Sequence, residues 1–123
     1  MDKNPILVVE DEPDGQEVVS RMLSTANVQV QVAGDAEEAL QLLNENDYSA
    51  AIIDLALPGM DGFQLLQAIR AEPRLMSIRC VAITAFHTPE LKQHAIRVGF
   101  DAYFAKPLDR TRFLGALDSV IAK

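Results

Sequence analysis

The chain has 123 residues, 49% of them hydrophobic and 24% charged, which suits one ordinary core and excludes both two full domains and a chain disordered by composition. Eighteen acids against eleven bases give a net charge of −7, so direct binding of nucleic acid through a global basic field is not expected. No apolar run approaches the roughly 20 residues of a membrane span and no cleavable leader pattern follows Met1; a soluble, cytoplasmic domain over residues 1–123, without membrane contact, is expected. Cys80 is the one cysteine, which excludes an internal disulfide and a cysteine-based zinc site. Within the run Cys80-Val81-Ala82-Ile83 it reads as a buried core thiol. The charge is unevenly spread: residues 1–62 carry 13 acids and 2 bases, residues 63–123 carry 5 acids and 9 bases. The first half could host a cation and the second meet an acidic partner, although solvated surface accounts for most of these charges.

Along the chain, apolar runs alternate with helical patterns. Ile6-Leu7-Val8-Val9 reads as a buried strand ended by Glu10-Asp11-Glu12-Pro13. Val18, Val19, Met22, Leu23 and Ala26 recur at helical spacing. Val28-Gln29-Val30-Gln31-Val32 alternates strictly, as a half-buried edge strand does. Asp35 with Glu38 resembles a capping box, and Ala36, Ala39, Leu40 and Leu43 supply that helix's apolar face. Ala50-Ala51-Ile52-Ile53 is a buried strand ending at Asp54. After a loop containing Pro58 and Gly59, Asp61 predicts an N-cap for a helix through Leu65, Leu66 and Ile69 that stops near Pro73. A fourth strand, Cys80 to Ile83, ends at Thr84. Thr88-Pro89-Glu90 predicts the start of a helix that ends before Gly99. Ala102-Tyr103-Phe104-Ala105 is the fifth strand, closed by Lys106-Pro107, and Asp109 caps a last helix with Phe113, Leu114, Leu117 and Ile121 inward. Strict strand–helix alternation implies an α/β fold: a single doubly wound, five-stranded parallel sheet with helices on both faces. The alternating second strand belongs at an edge and the continuous apolar runs inside, which favours the order 2-1-3-4-5.

In such sheets the working site lies beyond the carboxyl ends of the strands. There the sequence puts Glu10 and Asp11, Asp54, Thr84 and Lys106. Two carboxylates about 4 Å apart repel by roughly 4 kcal/mol at an effective dielectric near 20. Such a cluster must protonate, spread or bind a cation. Oxygen ligands without His or Cys suit Mg²⁺, with Mn²⁺ as a substitute. Lys106 adds a positive charge and Thr84 a hydroxyl, a set suited to phosphoryl transfer onto a carboxylate. Taken singly, each residue has a plainer account. Glu12 can serve the next helix's N-terminus, Thr84 can be an ordinary strand residue and Lys106 a surface lysine. Their joint position at four strand ends is the signal.

These residues carry a specific resemblance. Ile6-Leu7-Val8-Val9-Glu10-Asp11-Glu12, Asp54 through Gly62, Ala82-Ile83-Thr84-Ala85 and Tyr103-Phe104-Ala105-Lys106-Pro107 resemble, end to end, the receiver domain of two-component response regulators of the chemotaxis-regulator-like family, with its flavodoxin-like fold. The resemblance implies a signalling switch rather than an enzyme, able to assist only its own phosphorylation and dephosphorylation. Asp54 would be phosphorylated by a sensor histidine kinase or a histidine phosphotransfer protein. Glu10, Asp11 and Asp54, with the Ala56 backbone carbonyl, would hold Mg²⁺. Lys106 would stabilise the phosphoryl group together with Thr84, Thr84 and Tyr103 would be the switch pair, and the Lys106-Pro107 bond would be cis. The changed surface would be the fourth helix, fifth strand and fifth helix. It would serve a downstream target, an effector domain or a phosphorylation-dependent homodimer.

On this reading the Thr84 hydroxyl moves to a phosphoryl oxygen, drags Ala85-Phe86-His87, and opens space for Tyr103 to turn inward. Phe86, bulky and two positions after Thr84, is expected to limit water access and slow loss of the phosphoryl group; packing on the loop is an equal alternative. His87 and His94 stand apart from other ligand types, and surface roles are expected for both. A flavin carrier on the same fold would want a phosphate-cradling loop where Glu10-Asp11-Glu12 stands. An aspartate-nucleophile phosphatase would want a second Asp two positions on, where Ala56 stands. A module that binds proteins without phosphorylation would have no need of all these acids, Thr84 and Lys106.

Overall fold

A computed structural model of the chain describes residues 4–122; the ends of the expected domain, 1–3 and 123, lie outside the described residues. Five strands and five helices alternate without exception: β1 (Ile6–Val9), α1 (Pro13–Ser24), β2 (Val30–Ala33), α2 (Ala36–Glu45), β3 (Ala50–Asp54), α3 (Gly62–Ala71), β4 (Arg79–Thr84), α4 (Pro89–Val98), β5 (Ala102–Ala105) and α5 (Arg110–Ala122). All neighbouring strands pair in parallel, in the order β2-β1-β3-β4-β5. No helix among the described residues is long and apolar enough to cross a membrane.

The sheet divides its side chains by the two-residue strand period. Leu7, Val9, Ala51, Ile53, Cys80, Ala82 and Tyr103 face one core, closed by Leu43 of α2, Leu65, Leu66 and Ile69 of α3, and Ala95 of α4. Ile6, Val8, Ile52, Val81 and Ile83 face the other, closed by Val19 and Leu23 of α1 and Phe113 and Leu117 of α5. Being apolar on both faces, β1, β3 and β4 belong in the interior, as their unbroken runs predict. Phe113 is fully buried, edge-on to Phe104 at 5.1 Å; truncating it to Ala would cost about 3–5 kcal/mol.

Local chemistry sets the element ends. Asp61 caps α3 in a complete capping box with Gln64, and Thr88 caps α4 by accepting from the Leu91 amide at 3.0 Å. Asp109 Oδ1 accepts from the Thr111 amide at 3.2 Å at the start of α5. At α2 the expected box is offset by one residue: Asp35 accepts from the Glu38 amide, but Glu38 Oε1 takes the Gly34 amide. The edge strand begins two residues later than its alternation suggests. Asn27 adopts a left-handed φ of 60°, tolerable for Asn, and the Val28 amide returns to Leu23 O at 3.2 Å to close α1. Ala26 consequently lies in this turn. Val18 is half exposed, because Val19 and Leu23 take the inward positions of α1.

The end of the sheet opposite the strand termini is tied by Arg70. It donates to the carbonyls of Met76, Ile78 and Gly99 and to Asp101 Oδ2, which also accepts from the Cys80 amide at 2.8 Å. This clamp joins α3, β4 and the start of β5. Cys80 sits buried beside it, its thiol pushed up to about 12 by burial.

Candidate functional site

Because all five strands run in parallel, the residues that end them meet at one edge. Glu10 follows β1, Asp54 ends β3, Thr84 ends β4 and Lys106 follows β5. Glu10 is 1% exposed, Asp54 5% and Thr84 1%, whereas Asp11 is exposed at the rim. Glu10, Asp11 and Asp54 each offer a carboxylate oxygen, and the three lie within 4.8 Å of one another. They line a cavity of about 400 Å³ with Glu12, Gly15, Ala56, Ala85, Phe86 and Lys106. The structure therefore brings together Glu10, Asp11, Asp54, Ala56 and Lys106. Thr84 ends the adjacent strand, and Tyr103 lies farther down β5, on the α4 side.

Lys106 bridges the two buried acids, with Nζ 2.6 Å from Glu10 Oε1 and 2.9 Å from Asp54 Oδ2. Asp54 Oδ1 accepts from the Ala56 amide at 2.8 Å. Burial alone would raise the Asp54 carboxyl, but its bonds with neighbouring Glu10, the Ala56 amide and Lys106 outweigh burial and hold it below its ordinary 3.8. Burial, reinforced by Asp54 and opposed by Lys106, pushes Glu10 up to about 7. Burial would lower Lys106, yet its two acidic partners hold it above 10.5. Burial thus favours the protonated form of Glu10, and the Ala56 amide and Lys106 favour the ionised form of Asp54. That is the protonation a carboxylate nucleophile requires.

The donor set suits a hard divalent cation. Its ligands are all oxygens, and Glu10 Oε2 is buried with no hydrogen-bond partner, a polar atom of the kind that needs explanation. The cradle is steric as well as polar. A Cβ on Gly15 in α1 would overlap Glu10 Oε1 and sit 2.8 Å from Glu10 Cδ. Gln16 fixes the same segment, donating from Nε2 to Glu10 O at 2.7 Å. Sequence reasoning missed both residues. Gly15 carried a signal, since Gly inside a predicted helix costs roughly 1 kcal/mol and invites a packing reason.

Thr84 Oγ1 turns toward its own loop and accepts from the Phe86 amide at 3.0 Å. The Phe86 side chain is 70% exposed at the lip of the cavity. The Lys106-Pro107 bond is cis. The Tyr103 ring lies inward, 8% exposed. The reason is a hydrogen bond between its hydroxyl and His87 Nδ1, at 2.9 Å, which meets the polar requirement of a buried phenol. His87 and His94 are exposed as expected, and His94 packs its ring on Phe63 at 4.9 Å.

Residues 6–118 match the response regulator receiver domain. The chain belongs to that family. A receiver domain is a phospho-acceptor module of two-component signalling. A 14.6 kDa protein from the sodA1 3′ region of Leptolyngbya boryana is 39% identical over 104 residues, covering 85% of this chain and 79% of that one. A probable chemotaxis protein CheY from Rhizobium etli is 28% identical over 120 residues, 97% of this chain and 93% of that protein. The receiver domain of the sensor histidine kinase PA1611 from Pseudomonas aeruginosa, crystallised with a magnesium ion coordinated in its active-site cleft, has a TM-score of 0.89 at 28% identity. The match covers 99% of this chain and 100% of that one. Receiver domains also sit within larger proteins. This chain spans 48% of the transcriptional regulatory protein HprR of Escherichia coli and 11% of the sensor histidine kinase RcsC of Salmonella typhimurium.

Proposed function

We propose that Asp54 accepts a phosphoryl group from a phosphohistidine donor, either a sensor histidine kinase or a histidine phosphotransfer protein, in the cytoplasm. One Asp54 oxygen attacks phosphorus. The P–O bond forms as the P–N bond breaks, the electron pair returns to the imidazole nitrogen, and that ring takes up a proton. The observation that carries this reading is the Asp54 carboxylate held between the Ala56 amide and Lys106 Nζ at the floor of a solvent-open cavity. Lys106 orients the nucleophile and offers its charge to the incoming phosphoryl oxygens. Glu10, Asp11 and Asp54, with the Ala56 carbonyl, would hold Mg²⁺ or Mn²⁺, which supplies charge neutralisation to the phosphoryl group when bound.

The output begins at Thr84. Its hydroxyl leaves the Phe86 amide for a phosphoryl oxygen, and the loop 85–88 follows. A few charge-assisted hydrogen bonds at roughly 1.5–3 kcal/mol each match the about 5.5 kcal/mol that reverses a 1:99 population. The responding surface is α4, β5 and α5, where a downstream target, an effector domain or a second copy would dock. Intact-mass analysis after incubation with acetyl phosphate and Mg²⁺ tests the proposal. One alkali-labile phosphoryl adduct is expected, absent in Asp54→Asn and without the metal. An adduct that persists in Asp54→Asn would refute it.

A further inference from the structure

Among the described residues, β2 ends the sheet on one side and pairs only with β1. The Ile6 amide donates to Gln29 O at 2.9 Å and the Glu10 amide to Ala33 O at 3.0 Å. The backbone groups of residues 29, 31 and 33 therefore turn toward β1, and those of Val30 and Val32 turn to the open edge. Proteins commonly guard such an edge with charges, proline or a bulge. Met22 to Gly34 holds no charged residue and no proline, and is the longest uncharged run in the chain. The Gln31 side-chain amide lies 3.5 Å from Val32 O, at the limit of a hydrogen bond, so it leaves the edge open.

An open groove of about 550 Å³ runs beside this edge, lined by Pro5, by Ser20 and Ser24 of α1 and by residues 28–32. None of these residues is charged, and the two serines are small enough to leave room for a strand. Val30 and Val32 pack on this side, against the core under α1 and α5, while Gln29 and Gln31 are exposed on the other. The charge around the groove decides what fits it. The chain carries −7 overall, with 13 acids against 2 bases in residues 1–62, so two copies repel over most of this half. At the β2 edge they meet without that repulsion, whereas a charged partner would find no counter-charge there.

We infer that β2 is a self-association surface, at which two copies of this chain join their edges antiparallel about a two-fold axis at Gln31 and form one continuous sheet. Val30 of one copy then faces Val32 of the other. Each such pair exchanges both its backbone hydrogen bonds, because these are the residues whose groups turn outward. Gln31 faces its own counterpart in the non-hydrogen-bonded position, where the two side-chain amides can bond each other. The valines of both copies adjoin along the groove and extend its apolar layer. The contact closes on two copies and does not grow into a filament. It lies at the opposite edge of the sheet from β5, so it is independent of Asp54 and of the surface of α4, β5 and α5.

Sedimentation velocity of the full chain, without a phosphoryl donor, tests this apart from any association through α4, β5 and α5. A dimer that gains population with concentration is expected. Gln31→Lys and Gln31→Glu each set like charges face to face and should weaken it roughly fivefold. An equimolar mixture of the two variants pairs opposite charges and should restore it. Gln31 is exposed, so both variants should fold. In Gln31→Cys the facing Cα atoms would stand about 4.5 Å apart, within the span of about 4.4–6.8 Å that a disulfide bridges, and mild oxidation should cross-link the dimer. Gln29→Cys, equally exposed on the same strand, would face Ala33 of the other copy and should stay uncross-linked. Cys80 is buried and takes no part. A chain that stays monomeric up to about 1 mM would leave the edge to a strand of another protein and overturn the inference. A dimer that Gln31→Lys does not weaken, or that cross-links as readily through position 29 as through 31, would overturn it as well.

Discussion

Replacing Glu10 by Gln tests how the site stores its charge. Glu10 is 1% exposed and its Oε2 has no partner. Its carboxyl moves from an ordinary 4.5 to about 7 on folding. Between those values the unfolded chain carries Glu10 ionised while the fold keeps its proton. The fold then binds more protons than the unfolded chain, so stability falls as pH rises through this window. The loss is complete once Glu10 ionises in the fold, and it amounts to about 2–3 kcal/mol between about pH 5 and about pH 8. The opposite shift of Asp54 acts below its ordinary 3.8, outside that range. Glu10→Gln keeps an acceptor for Lys106 but cannot ionise. Urea denaturation in EDTA across the range should therefore show the wild type losing about 2–3 kcal/mol relative to the variant. Mg²⁺ should recover much of that loss at the upper end in the wild type only. Parallel pH profiles for the two proteins would refute the assignment of the proton to Glu10.

Two further substitutions address the cavity. Gly→Ala inside a helix ordinarily stabilises by up to about 1 kcal/mol. Gly15→Ala should instead destabilise by about 1–3 kcal/mol and weaken Mg²⁺ binding in calorimetry, because its Cβ takes the place of the Glu10 carboxylate. Adding Glu10→Asp, one methylene shorter, should relieve the overlap, and a stabilised Gly15→Ala single variant would contradict the account. Phe86→Glu replaces an apolar lip with one that carries water. Phosphoryl loss from Asp54, followed by mass against time, should quicken on the order of threefold to tenfold, equivalent to about 1 kcal/mol of barrier. An unchanged rate would leave Phe86 as a packing residue.

The architecture was legible because each interior strand is apolar on both faces while the edge strand alternates, and because Asp61 and Thr88 mark helix starts by their own chemistry. The acids and Lys106 were legible for a related reason. A parallel sheet gathers whatever follows its strands at one edge, so four strand ends read from the sequence become neighbours in space. What escaped the sequence depends on side-chain direction. The left-handed turn at Asn27 delays β2, a choice of backbone conformation that the valine alternation does not encode. Val18 and Val19 are equally apolar, and only the seating of α1 decides which is buried. The pairing of His87 with Tyr103 joins residues 16 positions apart, and neither residue type announces it.

The central claim concerns one side chain, and its most direct test is chemical. An acyl phosphate is reduced by borohydride to an alcohol, so an aspartyl phosphate is recovered as homoserine. Treatment of the phosphorylated protein with borohydride, followed by peptide sequencing, should recover homoserine in place of Asp54 and aspartate unaltered at Asp11 and Asp61. Recovery of homoserine at another aspartate, with Asp54 intact, would contradict the account.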